Sequence, residues 1–230
     1  IHYIAKSHNA LFMVDMAHIA GLVCSQVIPS PVPFADIVTF TCYKTLMGCR
    51  GGIIMAKEKY RNAINRSIFP GCQGTSGVNQ IAAKAVTFEN ARSTEFKEIQ
   101  LKTLKHATIL AHELMNRGYR IVSGGTDNHQ ILVDLANLSI SGQLAETTLE
   151  KVGILCNRNV TPKDALMPGS ISGIRLGTAA LTTRGLRETE FKEIADLIDT
   201  CIRFFQDPNR LETVKNSVST LCSKFPVYDN

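Results

Sequence analysis

The chain has 230 residues, enough for one large domain or two modest ones. With 44% hydrophobic and 20% charged residues, a packed core and an ordinary charged surface are both available. The net charge of +5 is spread along the chain with no arginine-rich helix, aromatic-basic interleaving or finger spacing, which argues against nucleic acid and leaves a mildly basic surface or small anionic ligands.

Residues 1–9 read as the end of a helix. The chain opens on Ile1 with no initiating Met and no signal peptide, so the expectation is a portion of a longer polypeptide whose targeting segment could lie upstream. LFMV at 11–14 is a short buried strand candidate, followed directly by the acid Asp15. Pro29, Pro31 and Pro33 break the next stretch into an extended loop. DIVTFT at 36–41 and GGIIMA at 51–56 read as two more strands separated by a tight turn. Short apolar strands alternating with helical stretches point to an α/β fold with a mixed or parallel sheet covered by helices. Lys57 to Ser67 reads as a helix, and PGCQGTSG after it as a flexible loop. From Val78 the pattern is helical for some forty residues, broken near Arg92–Thr94 and ended by Gly118. A second unit is expected from Thr94, which divides the chain into 1–93 and 94–230. It carries strands at 119–122, 129–135 and 173–177 and a helix over 145–153. Phe191, Ile194, Ile198, Ile202 and Phe205 mark an amphipathic helix; Pro208 interrupts it, and a last helix covers about 209–222.

No apolar stretch reaches the roughly 18 residues a membrane span needs. The seven cysteines are odd in number and contain no CxxC. They read as free thiols in a reducing compartment, and a cytoplasmic location is expected, or an organelle if a targeting segment lies upstream. Cys24, Cys42, Cys156 and Cys201 lie in apolar surroundings and are expected as small core residues. No metal-ligand set is expected.

Lys44 lies in the turn of ADIVTFTCYKTLMGCRGGIIM. A deprotonated amine condenses with an aldehyde, and apolar burial favours that state. Thr39, Thr41, Thr45 and Gly48 would leave room for a ring and offer hydroxyl partners. The alternative is a solvated surface lysine. Asp15 at a strand end needs a partner; it could pair with a protonated pyridine nitrogen, or cap the turn that follows. His18, three residues on, could orient a ring or contact a carboxylate, or be a satisfied structural histidine. Arg175, in SGIRLG, has a planar fork suited to an α-carboxylate, and is equally suited to a salt bridge between domains. The loop Gly71 to Thr75 could aim backbone N–H groups at a phosphate, but lacks a Walker ending and could be a generic loop.

VDMAHIAGLV, VTFTCYKTLMGCRGG, FPGCQG, SGGTDNH and SGIRLGTAALTTRG, in that order and spacing, resemble serine hydroxymethyltransferase over essentially all 230 residues. The resemblance implies the fold-type I architecture of pyridoxal-phosphate enzymes: the C-terminal part of the large cofactor-binding domain followed by the small domain. It implies interconversion of serine and glycine through a pyridoxal 5'-phosphate Schiff base, with one-carbon transfer to tetrahydrofolate as co-substrate. Lys44 would hold the cofactor, Asp15 would pair with its ring nitrogen and His18 would lie beside it. Thr41 would line the pocket, and Tyr43 and Arg50 would flank the lysine. Gly74 and Thr75 would offer backbone to the phosphate of a neighbouring subunit's cofactor in a homodimer or homotetramer. Arg175 would bind the substrate carboxylate. Asn159 would approach the pteridine ring, with the 167–169 stretch nearby.

The sequence also departs from the family pattern. Tyr43 stands where the family has histidine before the lysine. A phenol, with a reference pKa of about 10 against about 6.5 for imidazole, is a poor proton buffer at neutral pH. This opens an alternative reaction, a threonine-aldolase-like lyase; a further alternative is a degenerate homologue with a structural or regulatory role. Thr75 replaces a glycine, where a positive φ would be costly. Cys49 and Ala179 replace prolines. The family's phosphate cup, ring-stacking histidine and acid–base residues precede the position of Ile1. The segment alone is therefore expected to be inactive, and to need an N-terminal segment, which could be a separate chain.

Overall fold

The computed structural model describes residues 1–138, 140–164 and 171–228. The chain divides into two units, Ile1–Leu101 and Lys102–Asn230. The division falls inside a helix that begins at Thr94.

In the first unit the order is α1 (His2–Ser7), β1 (Met13–Asp15), α2 (Ala20–Cys24), β2 (Ile37–Thr41), β3 (Gly52–Ala56), α3 (Arg61–Arg66), α4 (Val78–Asn90) and the start of α5 (Thr94–Asn116). β1 and β2 run parallel, with Met13 opposite Ile37 and Asp15 opposite Thr39. A parallel pair needs a crossover connection, and α2 lies in it. β3 returns antiparallel to β2, with Thr41 opposite Gly52. Val38 and Phe40, on one face of β2, pack into two apolar clusters. Met16, Val23, Ala35 and Val38 form one. Ala20, Cys42, Leu46, Ala91 and Phe96 form the other. Fully burying an aliphatic or aromatic side chain of this size stabilises by about 1.5–3 kcal/mol.

The second unit adds β4 (Arg120–Ile121), β5 (Gln130–Asp134), α6 (Gly142–Lys151), β6 (Asn157–Asn159), β7 (Gly173–Gly177), α7 (Ala179–Thr183), α8 (Glu188–Arg203) and α9 (Pro208–Lys224). Its sheet has the order β4-β5-β7-β6 and is antiparallel throughout. One face carries Ile121, Ile131, Val133, Ile174 and Leu176 into a core shared with Leu114, Leu149, Phe191, Ile198 and Ile202. Successive side chains of a strand point to opposite faces. Gln130, Leu132, Asn157, Asn159 and Arg175 therefore share the other face. Gly118 takes φ +88 at the end of α5, a conformation that favours glycine.

Several expected boundaries move. β1 begins at Met13 and ends on Asp15, so the acid belongs to the strand. The helix expected over 57–67 is a single-turn 3₁₀ segment, Glu58–Tyr60, leading into α3. α6 starts earlier than expected because Ser141 caps it, its side chain accepting from the Leu144 N–H at 3.1 Å. Pro208 opens α9 and does not interrupt a helix: Asp207 caps the Asn209 and Arg210 N–H groups, and proline suits the first helical position. The seven cysteines are free thiols. Cys42 and Cys201 are buried as expected and Cys156 is half-buried, but Cys24 is exposed. Among the described residues no helix is long and apolar enough to cross a membrane.

Candidate active site

Because β1 and β2 are parallel, their carboxyl ends lie on the same edge of the sheet, where ligands gather in open α/β folds. Asp15 is the last residue of β1. Its carboxylate is exposed and accepts the Ala17 N–H on Oδ1 at 2.8 Å and the Thr39 hydroxyl on Oδ2 at 3.0 Å. A carboxylate has about four acceptor sites, so both oxygens keep capacity for a further donor. The turn cap, one of the two alternatives read from sequence, is present.

Lys44 lies just past the end of β2, in a turn closed by backbone bonds. The Gly48 N–H donates to the Cys42 carbonyl at 2.7 Å and the Met47 N–H to the Lys44 carbonyl at 2.9 Å. The Cys42 N–H donates to the Gly51 carbonyl at 3.0 Å. Met47 reaches the left-handed region, φ 61, to complete the arc. Lys44 itself is half-buried, and among the described residues no carboxylate lies within ion-pairing distance of its amine.

The residue that fastens this turn is Thr45. Its hydroxyl donates to the His18 carbonyl at 2.8 Å and accepts the Gly21 N–H at 3.0 Å. Gln100, also buried, donates to the Thr45 carbonyl at 3.0 Å. The lysine turn is thereby strapped to the connection that follows Asp15 and contains His18. Thr41 adds a longer bond to the Ala17 carbonyl, 3.4 Å. The threonine hydroxyls expected to serve a bound ring are thus committed to protein groups, Thr45 most completely. Tyr43 faces outward, and the Arg50 guanidinium lies 4.7 Å from its ring centroid, a cation–π contact.

Gly74 and Thr75 lie in an exposed stretch without regular secondary structure, and a side chain at Gly74 would meet nothing within 4 Å. Neither has a positive φ, so the strain expected at Thr75 is absent. Among the described residues no hydrogen bond joins them to the lysine turn.

Arg175 and Asn159 come together within the second unit. They line a cavity of about 630 Å³ with Ser123, Thr126, Asp127 and Gln130 among its walls. Arg175 is half-buried and donates from Nη2 to Asn157 Oδ1 at 3.0 Å. Within the second unit it forms no ion pair among the described residues. Asn159 donates to its neighbour's carbonyl, Val160, at 3.3 Å. The connection from β6 to β7 is closed at its base by the buried Asp164. Its Oδ2 accepts from the Thr161 N–H and hydroxyl at 2.9 and 3.2 Å, and from the Ser172 N–H and hydroxyl at 2.8 and 2.9 Å. The 167–169 stretch lies outside the described residues.

Sequence reasoning missed Gln100, Asn157, Asp164 and the strap function of Thr45. The TxxD spacing of Thr161 and Asp164 is a recognisable local motif. Gln100 and Asn157 left no signal, because their partners lie 55 and 18 residues away.

A family model described as serine hydroxymethyltransferase matches residues 1–198. The mixed α/β fold, with a lysine and an acid at the carboxyl ends of neighbouring parallel strands, agrees with the class to which the family match assigns this chain, the fold-type I pyridoxal-phosphate-dependent enzymes. The chain belongs to the serine hydroxymethyltransferase family; residues 199–230 lie beyond the match, which is shorter than the resemblance expected from the motifs.

The donor set fits the reactive end of that cofactor. Among the described residues Lys44 offers an amine with no carboxylate at ion-pairing distance, and Asp15 offers acceptor capacity for a ring N–H. The loop at Gly74 is exposed and open.

Proposed function

We propose that this chain carries the lysine side of a pyridoxal-phosphate site that interconverts serine and glycine and passes the one-carbon unit to tetrahydrofolate. The observation that carries the reading is the Thr45 strap, which ties the Lys44 turn to the connection that follows Asp15 and contains His18. Lys44 would hold the cofactor's carbonyl carbon through its amine. Asp15 would keep the ring nitrogen protonated, while His18 and Thr41 bound the ring. When bound, the cofactor supplies the electron sink for a carbanion at the substrate Cα.

Arg175 would hold the substrate carboxylate by its fork, and Asn159 in the same cavity would meet the pteridine of the folate. Gly74 and Thr75, exposed and unengaged with the lysine turn, suit contacts to the phosphate in a neighbouring subunit of a homodimer or homotetramer. Activity is then a property of the assembled protein. Free thiols throughout support a reducing compartment, such as the cytoplasm.

Tyr43 favours a second reading. With Arg50 against its ring, it offers no imidazole beside the lysine, and a folate-independent aldol cleavage of 3-hydroxy amino acids would fit that change. Dependence of serine cleavage on added tetrahydrofolate separates the two reactions.

The test of the site is chemical. Incubation with pyridoxal phosphate, borohydride reduction and peptide mapping should put the pyridoxyl group on Lys44 in preference to exposed lysines such as Lys6 and Lys57, and Lys44→Arg should abolish that label. A reproducible adduct at another lysine with Lys44 unmodified would sink the assignment.

A further inference from the structure

We propose that Asn157 is a positioning residue for Arg175, holding the guanidinium through one neutral hydrogen bond so that its charge stays available to a ligand carboxylate. This rests on the reading of Arg175 as the carboxylate anchor.

Asn157 and Arg175 are Cα partners across β6 and β7, on the sheet face away from the core. The bond runs from Nη2 to Oδ1 at 3.0 Å. On the same face of β7, Arg175 is flanked by Gly173 and Gly177, which carry no side chain to screen the guanidinium. Leu132, its partner on β5, offers no acceptor either.

Four other arginines of this unit are treated differently. Arg158, on the opposite face of β6, pairs with Glu146 at 3.7 Å, and Arg120 pairs with Asp134 at 3.5 Å. Arg117 and Arg203 pair with Glu113 and Asp199, each at 2.7 Å. Arg175 has an amide partner where these four have carboxylates, although Asp127 lines the same cavity; Arg184 of the same unit also bonds to neutral groups, the Phe225 and Cys222 backbone carbonyls.

The physical consequence is specific. A guanidinium has five N–H donors. One donor spent on a neutral carbonyl fixes the side chain and leaves both the charge and an edge of the fork for a two-point bond to a carboxylate. A carboxylate at position 157 would hold the fork equally well but neutralise it, competing with the ligand. An alanine would leave the charge but release the rotamers, and immobilising a long side chain is a recognised cost of binding.

The experiment compares wild type, Asn157→Ala, Asn157→Asp and Arg175→Ala in the assembled protein, with and without pyridoxal phosphate, using calorimetric titration of glycine and of glycinamide, which lacks the carboxylate. We expect Asn157→Ala to weaken glycine by about fivefold and Asn157→Asp by at least about 30-fold. Glycinamide binding and the melting temperature should stay as in wild type, which a merely structural role would not allow. In the ligand-free protein, ¹⁵N-edited spectra should resolve the Arg175 Nη protons in wild type and average them in Asn157→Ala. Glycine affinity unchanged in Asn157→Asp, or Arg175 signals unchanged in Asn157→Ala, overturns the proposal. If Arg175→Ala abolishes glycine binding while both Asn157 variants bind normally, only the positioning role fails. If Arg175→Ala binds glycine normally, or wild type binds none in either condition, the carboxylate reading fails and the proposal with it.

Discussion

Gly21 and Thr45 approach so closely that a Cβ on Gly21 would lie 2.2 Å from the Thr45 carbonyl oxygen. The same two residues share a hydrogen bond, from the Gly21 N–H to the Thr45 hydroxyl at 3.0 Å. The lysine turn therefore sits on the start of α2 with backbone against backbone. Only a residue without a side chain permits that approach. Gly21→Ala should cost about 1–3 kcal/mol through overpacking, read by urea unfolding, and should reduce pyridoxyl labelling of Lys44. A fully stable Gly21→Ala protein with normal labelling would mean the turn is not held there.

Thr45→Val keeps the shape of the side chain and removes the hydroxyl. The buried Gly21 N–H loses its acceptor, an unsatisfied group costing about 1–3 kcal/mol, and the His18 carbonyl loses one donor. Thr45→Ser keeps the oxygen and should recover most of the loss. Equal stability of the Val and Ser variants would count against the strap.

These two residues also mark where sequence reading stopped. β2 and β3 were legible because IVTFT and GIIMA are apolar, β-rich and bounded by turn residues. The break between α4 and α5 and the Gly118 stop were legible from local chemistry. β6 was not, since Asn157–Asn159 is polar and becomes a strand only by pairing with β7. Lys44, Asp15 and Arg175 stood out through their motifs. What holds them did not: the strap needs a threonine, a glycine and Gln100 brought together by the fold, and a small or polar residue looks alike whether it is free or committed.

The buried His106 gives a pH prediction. Its Nδ1 lies 2.8 Å from the Thr182 hydroxyl and its ring stacks on Phe191. Burial lowers its pKa below the ordinary 6.5; Glu188 and Glu190 oppose the shift, and Lys105 and Lys102 reinforce it. With the folded pKa depressed, the unfolded chain binds the extra proton first. This stability contribution is complete above about pH 6.5 and is lost as pH falls through the folded value. Chemical denaturation from about pH 4.5 to about pH 8.5, roughly two units either side of the ordinary imidazole value of about 6.5, should show a steeper acid loss in wild type than in His106→Gln. Parallel curves would assign the acid sensitivity elsewhere.

Asp164 collects four donors on one oxygen. Asp164→Ala would strand them at the base of the β6–β7 connection, costing on the order of 3 kcal/mol. Hydrogen exchange at β6 should rise more than at β5. Uniform exchange across the sheet would show that β6 is held by its ladder alone.

Thiol reactivity should follow burial. Burial pushes the Cys201 thiol up to about 11 and, with help from Glu146, the Cys156 thiol up to about 12. Cys72 and Cys222 are exposed. The thiolate is the nucleophile, so iodoacetamide at pH 8 should modify Cys72 and Cys222 first, and Cys201 only on unfolding. Cys201 reacting as fast as Cys222 would contradict its burial.

The turn carrying Lys44 is closed at both ends, by the Cys42–Gly51 and Gly48–Cys42 backbone bonds, and gripped in its middle by Thr45. Such an arc is fixed in length. One residue more or fewer between Cys42 and Gly51 would shift the strand pairing of β2 with β3 or pull Thr45 off its seat. Outward positions such as Tyr43 can change identity at little structural cost. Chemical novelty in this segment is therefore open to substitution and closed to insertion or deletion.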